Sequence, residues 1–272
     1  LEEEFQALFR DVSEAKPMPD SFRARLRSGE RLLGTMVTLP TASTAEILAD
    51  AGFDWLFIDG EHGPLETSDV LSILQAVGHR IPCIVRVPAC DEVAIKKVLD
   101  LGAAGIIVPQ VNTAEQAGDV VRHARYAPEG GRGVGLARAH GYGFRFAEYV
   151  ASANADVSVI VQAEHRLAVE NIEAIVKAPG VDAVLLGPYD LSASYGKMGQ
   201  ISDPEVLNGI NRITTTCQAV QMPLGYFGIS FDAVKPWMDQ GYSLIVAGVD
   251  VLFLGNSARR MMKDLKAASA TA

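Results

Sequence analysis

Five polar side chains stand where short Val/Ile/Leu-rich runs give out. They are Asp59 in Asp59-Gly60-Glu61-His62-Gly63-Pro64, Arg86 in the apolar stretch Cys83–Pro88, Gln162 and Glu164 in Val161–Glu164, and Asp190 in Gly187-Pro188-Tyr189-Asp190. A charge inside an apolar run is costly unless it is paired, hydrogen-bonded or metal-bound. Five such residues at the same end of successive runs point to a site rather than to scattered internal ion pairs. Glu164 and Asp190 are candidate metal ligands, because Mg²⁺ takes one or two protein carboxylates and completes its shell with water and substrate oxygens. A metal-free carboxylate pair, with one member protonated for acid/base work, is the alternative. Arg86 offers a planar, permanently charged fork for a carboxylate or an enolate; a salt bridge to Glu61 or Asp59 is its structural use. His62 follows Asp59 by three residues in a turn, close enough for the carboxylate to orient the imidazole in a proton-transfer dyad. A surface loop histidine is the competing reading.

Other chemistries lack their parts. His165 should point away from Glu164 along the chain, His79 sits at a helix end, His123 lies mid-helix, and His140 falls in a Gly/Arg-rich loop from which it could reach the site. A Schiff-base mechanism needs a desolvated lysine on a strand, and no lysine lies within a candidate strand; Lys197, in a loop, is the weak exception. No G-x-S-x-G marks a serine nucleophile.

The elements that must position these groups are legible as a repeat. Candidate strands are 32–39, 55–60, 83–87, 105–110, 157–164, 183–187, 223–228 and 243–247, all nearly continuous in apolar residues, as parallel strands covered on both faces must be. Helical stripes lie between them: Ala94, Ile95, Val98 and Leu99 after Asp91, and Ala117, Val120, Val121 and Ala124 after Asn112 or Thr113, which are suited to N-capping. Eight strands with intervening helices in 272 residues predict an α/β fold, a single (β/α)₈ barrel with its chemistry at the C-terminal strand ends. A doubly wound sheet is the rival, but no strand leads into G-x-G-x-x-G. The expected division is an N-terminal extension (1–31) that caps the barrel bottom or packs on a neighbour, the catalytic barrel (32–265), and a polar, Ala-rich tail (266–272).

Composition narrows the partners. A net charge of −9 argues against nucleic acid. No apolar run approaches the ~20 residues of a membrane span, and residues 1–20 are too acidic for a signal peptide. Cys83, Cys90 and Cys217 form no C-x-x-C, which fits a reduced, cytoplasmic protein.

Taken in order from about Leu32 to Arg260, the segments Asp59–Pro64, Val85–Pro88, Gly105–Gln110, Gly131–Gly135 with Ala137–Ala139, Val161–Glu164 with Ala168–Asn171, and Gly187–Ser192 resemble the HpcH/HpaI aldolases. These class II pyruvate aldolases include 4-hydroxy-2-oxo acid aldolases and macrophomate synthase. The resemblance implies a barrel whose last helix is exchanged between neighbours in dimers that build hexamers. It implies Mg²⁺, Mn²⁺ or Co²⁺ held by Glu164 and Asp190, and a 2-oxo acid (pyruvate) contacted by Arg86, Gln162 and the backbone of Gly187, Pro188 and Tyr189. Asp59 and His62 match the dyad assigned to proton transfer. The implied reaction is reversible cleavage of a 4-hydroxy-2-oxo acid to pyruvate and an aldehyde through an enolate. Two positions depart from the family: His165-Arg166 replaces Thr and a small polar or acidic residue, and Tyr189 replaces Ala or Phe. They leave open other pyruvate-enolate chemistry, such as oxaloacetate decarboxylation or macrophomate-type condensation. A non-catalytic binding barrel is the third alternative.

Overall fold

A computed structural model describes residues 21–270; expectations placed on 1–20 lie outside the described residues. A short helix, α1 (Phe22–Arg27), leads into β1 (Leu32–Val37) and α2 (Ala42–Asp50), β2 (Trp55–Asp59) and α3 (Thr67–Val77), β3 (Cys83–Arg86) and α4 (Glu92–Asp100), and β4 (Gly105–Val108) and α5 (Ala114–Ala124). A long connection holding a 3₁₀ segment (Arg138–Gly143) and α6 (Phe146–Asp156) precedes β5 (Ser158–Ala163), α7 (Arg166–Glu170) and α8 (Ile172–Ile175). Then follow β6 (Ala183–Leu186), α9 (Pro188–Ser194), α10 (Pro204–Ala219), β7 (Leu224–Gly228), α11 (Phe231–Asp239), β8 (Leu244–Val249) and α12 (Asp250–Ala270). The eight strands are parallel and closed in sequence order, with β8 paired to β1. The fold is the (β/α)₈ barrel.

Six strands, β1 to β6, stop one or two residues earlier than their hydrophobicity suggests. β1 ends at Val37, β4 at Val108 and β5 at Ala163, so Gln110 and Glu164 stand just beyond their strands. The proposed helix starts hold: Asp91 accepts from the Ala94 N–H, and Thr113 forms a reciprocal capping box with Gln116. The polar tail expected at 266–272 is helical as far as Ala270, continuing α12.

The barrel interior is filled at its N-terminal end by Leu32, Trp55, Ile84, Ile107, Ile160 and Leu244. Helix α1 closes this end: Phe22 and Leu26 join the same buried cluster, and the Phe22 ring lies 5.6 Å from Trp55. Gly34 of β1 is opposite Trp55, and a Cβ there would fall 2.5 Å from the indole. A separate acidic hub sits nearby. Asp182, wholly buried, accepts from Arg23 Nε (2.8 Å), Arg125 Nη2 (3.3 Å) and the Val159 N–H (2.9 Å), tying α1 to the barrel.

The other end is tied by Asp250, the first residue of α12. Its carboxylate accepts from the Thr38 N–H (2.8 Å), the Leu39 N–H (2.8 Å) and the Thr38 hydroxyl (2.7 Å), joining the end of β8 to the loop after β1. Beyond that clamp α12 leaves Leu254, Met261, Met262 and Leu265 exposed.

Asp182→Ala would strand the buried Arg125 guanidinium without its counter-ion, and breaking a buried pair this way costs about 3–5 kcal/mol. The expected outcome is a clear drop in the urea unfolding midpoint, whereas a midpoint unchanged within error would show that the hub contributes nothing.

Candidate active site

At the C-terminal ends of the strands lies a cavity of about 300 Å³. It is lined by Asp59, His62, Arg86, Gln162, Gly187, Pro188, Tyr189 and Asp190, together with Met36, Phe57, Leu185 and Phe227. Parallel pairing explains the convergence: Asp59 on β2 is in register with Arg86 on β3, and Gln162 on β5 follows one strand beyond β4. Glu164 lies just behind this lining, 2% exposed.

Arg86 is the hub. Its Nε and Nη2 donate to the two oxygens of Asp59 at 2.9 and 2.8 Å, its Nη1 reaches Gln162 Oε1 at 3.5 Å, and its Cζ lies 5.2 Å from the Phe57 ring centroid. Glu61 Oε2 is 3.1 Å from Nη1, an ion pair without hydrogen-bond alignment. Burial alone would raise the Asp59 carboxyl, but the hydrogen bonds and charge of Arg86 outweigh it and hold Asp59 below the usual carboxylate range. The same pairing keeps Arg86 charged despite its burial. Both salt bridges weighed from the sequence, to Asp59 and to Glu61, are therefore present.

The Asp59–His62 dyad is not formed as expected. Asp59 accepts the backbone N–H of His62 (3.3 Å) and of Glu61 (3.1 Å), so it fixes the turn rather than the imidazole. The ring instead faces Glu61, with Nε2 3.7 Å from Oε2, and its side chain is 68% exposed. The physical reason is crowding: Arg86 takes both carboxylate oxygens in bidentate fashion, the Glu61 and His62 N–H groups add to Oδ1, and the ring turns to Glu61 instead.

Glu164 is held from two sides. Its Oε1 accepts the Gln110 N–H at 2.8 Å, and its Oε2 accepts from Gln162 Nε2. Gln110 adopts φ +55°, the left-handed region that a non-glycine residue enters at a cost, and this turn aims its N–H at the carboxylate. Burial pushes the Glu164 carboxyl up to about 7; the Gln110 N–H opposes that rise, and negative charge on Asp190 and Glu61 adds to it. Asp190 differs from expectation in one respect: it stands in the first turn of α9, exposed, not at the end of a strand. The other histidines stay out of the site: His165 caps α7 by accepting from the Leu167 N–H, and His140 is buried against Phe146.

This donor set suits a hard divalent cation. Glu164 carries poorly compensated negative charge, Asp190 faces the cavity, and both offer oxygen. Among the described residues no three His, Cys, Asp or Glu side chains cluster as a metal cage. Two carboxylates are what Mg²⁺ takes from a protein when water and substrate supply its remaining ligands.

Sequence reasoning missed three parts. Glu61 was weighed only as a partner for Arg86, although it contributes charge to the whole mouth. Gln110 acts through its backbone, which side-chain type does not reveal. Phe57 could have been found, since it stands two residues before Asp59 and so shares its face of β2.

Gly187 abuts Glu164 and Gln162: a Cβ there would fall 2.7 Å from Glu164 Oε2 and 3.1 Å from Gln162 Nε2. Gly187→Ala should therefore lower kcat/KM by about 100-fold, the scale of an ångström-level misplacement, with a modest fall in melting temperature from local overpacking; full activity would dissociate this contact from catalysis.

Residues 33–257 match the HpcH/HpaI aldolase/citrate lyase family. The chain is 44% identical over 233 residues to a 4-hydroxy-2-oxovalerate aldolase of Novosphingobium aromaticivorans, covering 85% of this chain and 88% of that one. It is 38% identical over 261 residues to a hydroxypyruvate/pyruvate aldolase of Roseobacter denitrificans, with 92% and 99% covered. The crystal structure of a HpcH/HpaI aldolase/citrate lyase family protein from Burkholderia cenocepacia superposes with a TM-score of 0.86 at 36% identity, covering 90% of this chain and 98% of that one. The chain belongs to the HpcH/HpaI aldolase/citrate lyase family and is a lyase of that family.

Proposed function

We propose that the protein is a divalent-metal-dependent aldolase that reversibly cleaves 4-hydroxy-2-oxo acids to pyruvate and an aldehyde. The observation that carries this reading is the buried Arg86 fork held by Asp59 beside Gln162, in a cavity that Asp190 lines and Glu164 backs. A cation (Mg²⁺, Mn²⁺ or Co²⁺) held by Glu164 and Asp190 would supply Lewis acidity at the keto oxygen of the substrate.

The chain's own residues account for the rest. Arg86 places fixed positive charge beside the oxygen that becomes anionic when the C3–C4 bond breaks, and it needs no reorganisation because Asp59 already orients it. Gln162 contacts the same end of the substrate, and its carboxylate sits beside Gly187, Pro188 and Tyr189, where the Tyr189 N–H is the donor, since Pro188 has none and that of Gly187 is bound to the Ala163 carbonyl. His62 takes the proton of the 4-hydroxyl at a ring nitrogen. Its exposure leaves the ring free to turn toward substrate, while Asp59 anchors the turn that carries it. In the reverse direction these groups condense the pyruvate enolate with the aldehyde.

The bare apolar residues of α12 support an assembly in which this helix packs on a second copy, within a homo-oligomer such as a hexamer of paired barrels. A cytoplasmic location fits its free thiols. Tyr189, 56% exposed at the cavity, is the feature that favours the second reading, oxaloacetate decarboxylation or a macrophomate-type condensation on the same groups.

A lactate-dehydrogenase-coupled assay with 4-hydroxy-2-oxo acids tests the proposal. Cleavage should vanish with EDTA and return with Mg²⁺ or Mn²⁺, and persistence in EDTA would overturn the metal-dependent reading. Oxaloacetate turnover with every hydroxy-oxo acid inert would favour the second reading. Arg86→Lys, which cannot span both oxygens of Asp59, should cost at least about 100-fold in kcat, the scale of losing one oxyanion-stabilising donor.

A further inference from the structure

The imidazole of His62 needs a carboxylate to orient it, and most of those nearby are spoken for. Asp59 already accepts four bonds, two from Arg86 and one each from the Glu61 and His62 N–H groups. On the aldolase reading, Glu164 and Asp190 are given to the cation. Among the described residues, Glu61 is the one carboxylate that the ring approaches, with Nε2 3.7 Å from Oε2. That oxygen is buried and accepts no hydrogen bond, because Arg86 Nη1 beside it at 3.1 Å is misaligned. Glu61 therefore keeps an acceptor unspent, next along the chain to a ring whose nitrogens need a partner.

We infer that Glu61, not Asp59, is the positioning residue of the proton-transfer histidine. This inference rests on the aldolase reading above. A carboxylate facing Nε2 fixes the proton on that nitrogen and leaves the lone pair on Nδ1. Nδ1 then takes the proton of the 4-hydroxyl. The O–H electron pair becomes the second bond of the aldehyde carbonyl, and the C3–C4 pair passes into the enolate. A proton returns to C3 to complete the methyl group of pyruvate, so Glu61 itself gains and loses nothing. Its charge stabilises the imidazolium in between, and the gap to Nε2 closes as catalytic contacts do in a reacting complex. Arg86 does not need Glu61 for its geometry, since Asp59 holds it through two bonds.

That independence supplies the test. Glu61→Gln keeps the side-chain size and removes the charge. With saturating Mg²⁺, kcat for cleavage of a 4-hydroxy-2-oxo acid should fall about tenfold or more, a share of what a positioned general base supplies. Oxalate, a planar mimic of the enolate, meets Arg86 and the Mg²⁺ but has no hydroxyl proton to give. Its affinity, measured by calorimetry, should match that of the parent. An unchanged kcat would overturn the inference, and so would oxalate affinity falling in step with kcat, because Glu61 would then serve Arg86. As a second readout, Glu61→Gln placed on His62→Asn should cost almost nothing further, since groups that act as a unit do not add. A full repeat of the loss in that background would show that Glu61 does not act through His62. Failure of the parent protein to cleave any hydroxy-oxo acid would overturn the aldolase reading as well, whereas an active parent with an indifferent Glu61→Gln would overturn this inference alone.

Discussion

The site depends on one buried ion pair. Arg86 and Asp59 sit on neighbouring strands in register, and two hydrogen bonds lock the guanidinium plane. A charged group in a barrel interior is tolerable only when paired, and pairing here also orients it. The cost of burying two charges is offset by a fixed geometry, so the remaining face of the guanidinium is presented to the cavity without needing to be organised at the moment of reaction. Glu61, Gln162 and Phe57 pack around the same group and leave it little freedom.

Glu164 shows the opposite electrostatic condition. It is buried among acids and has neutral donors only, the Gln110 N–H and the Gln162 amide. One side of the cavity thus holds a compensated carboxylate and the other a poorly compensated one. That asymmetry is what a cation-assisted enolate site requires: permanent protein charge on one flank of the reacting oxygen and an appetite for added positive charge on the other.

Much of this was legible in the sequence, for an identifiable reason. A parallel barrel buries its strands on both faces, so a polar residue within or just after an apolar run stands out, and Asp59, Arg86, Gln162 and Glu164 were found that way. Asp190 was found by the same rule although it belongs to a helix, because the strand ends at Leu186, only four residues earlier. What escaped was partnership. Spacing placed His62 near Asp59 but could not say which atoms would meet, since the winner was decided by Arg86 arriving from another strand. The left-handed turn at Gln110 is equally hidden, because glutamine is not a residue type that announces such a conformation.

The clamp at Asp250 has a mechanical consequence for the barrel as a whole. A cylinder of strands has a seam where the last stave meets the first without a continuous chain between them, and here β8 pairs directly with β1. Here that seam is riveted at the rim that bears the cavity, by one side chain gripping Thr38 and Leu39. The opposite rim is stoppered by a short helix from outside the staves. The two rims are thereby fixed by different means, and Met36, two residues before Thr38, inherits its position from a rivet set by the final helix.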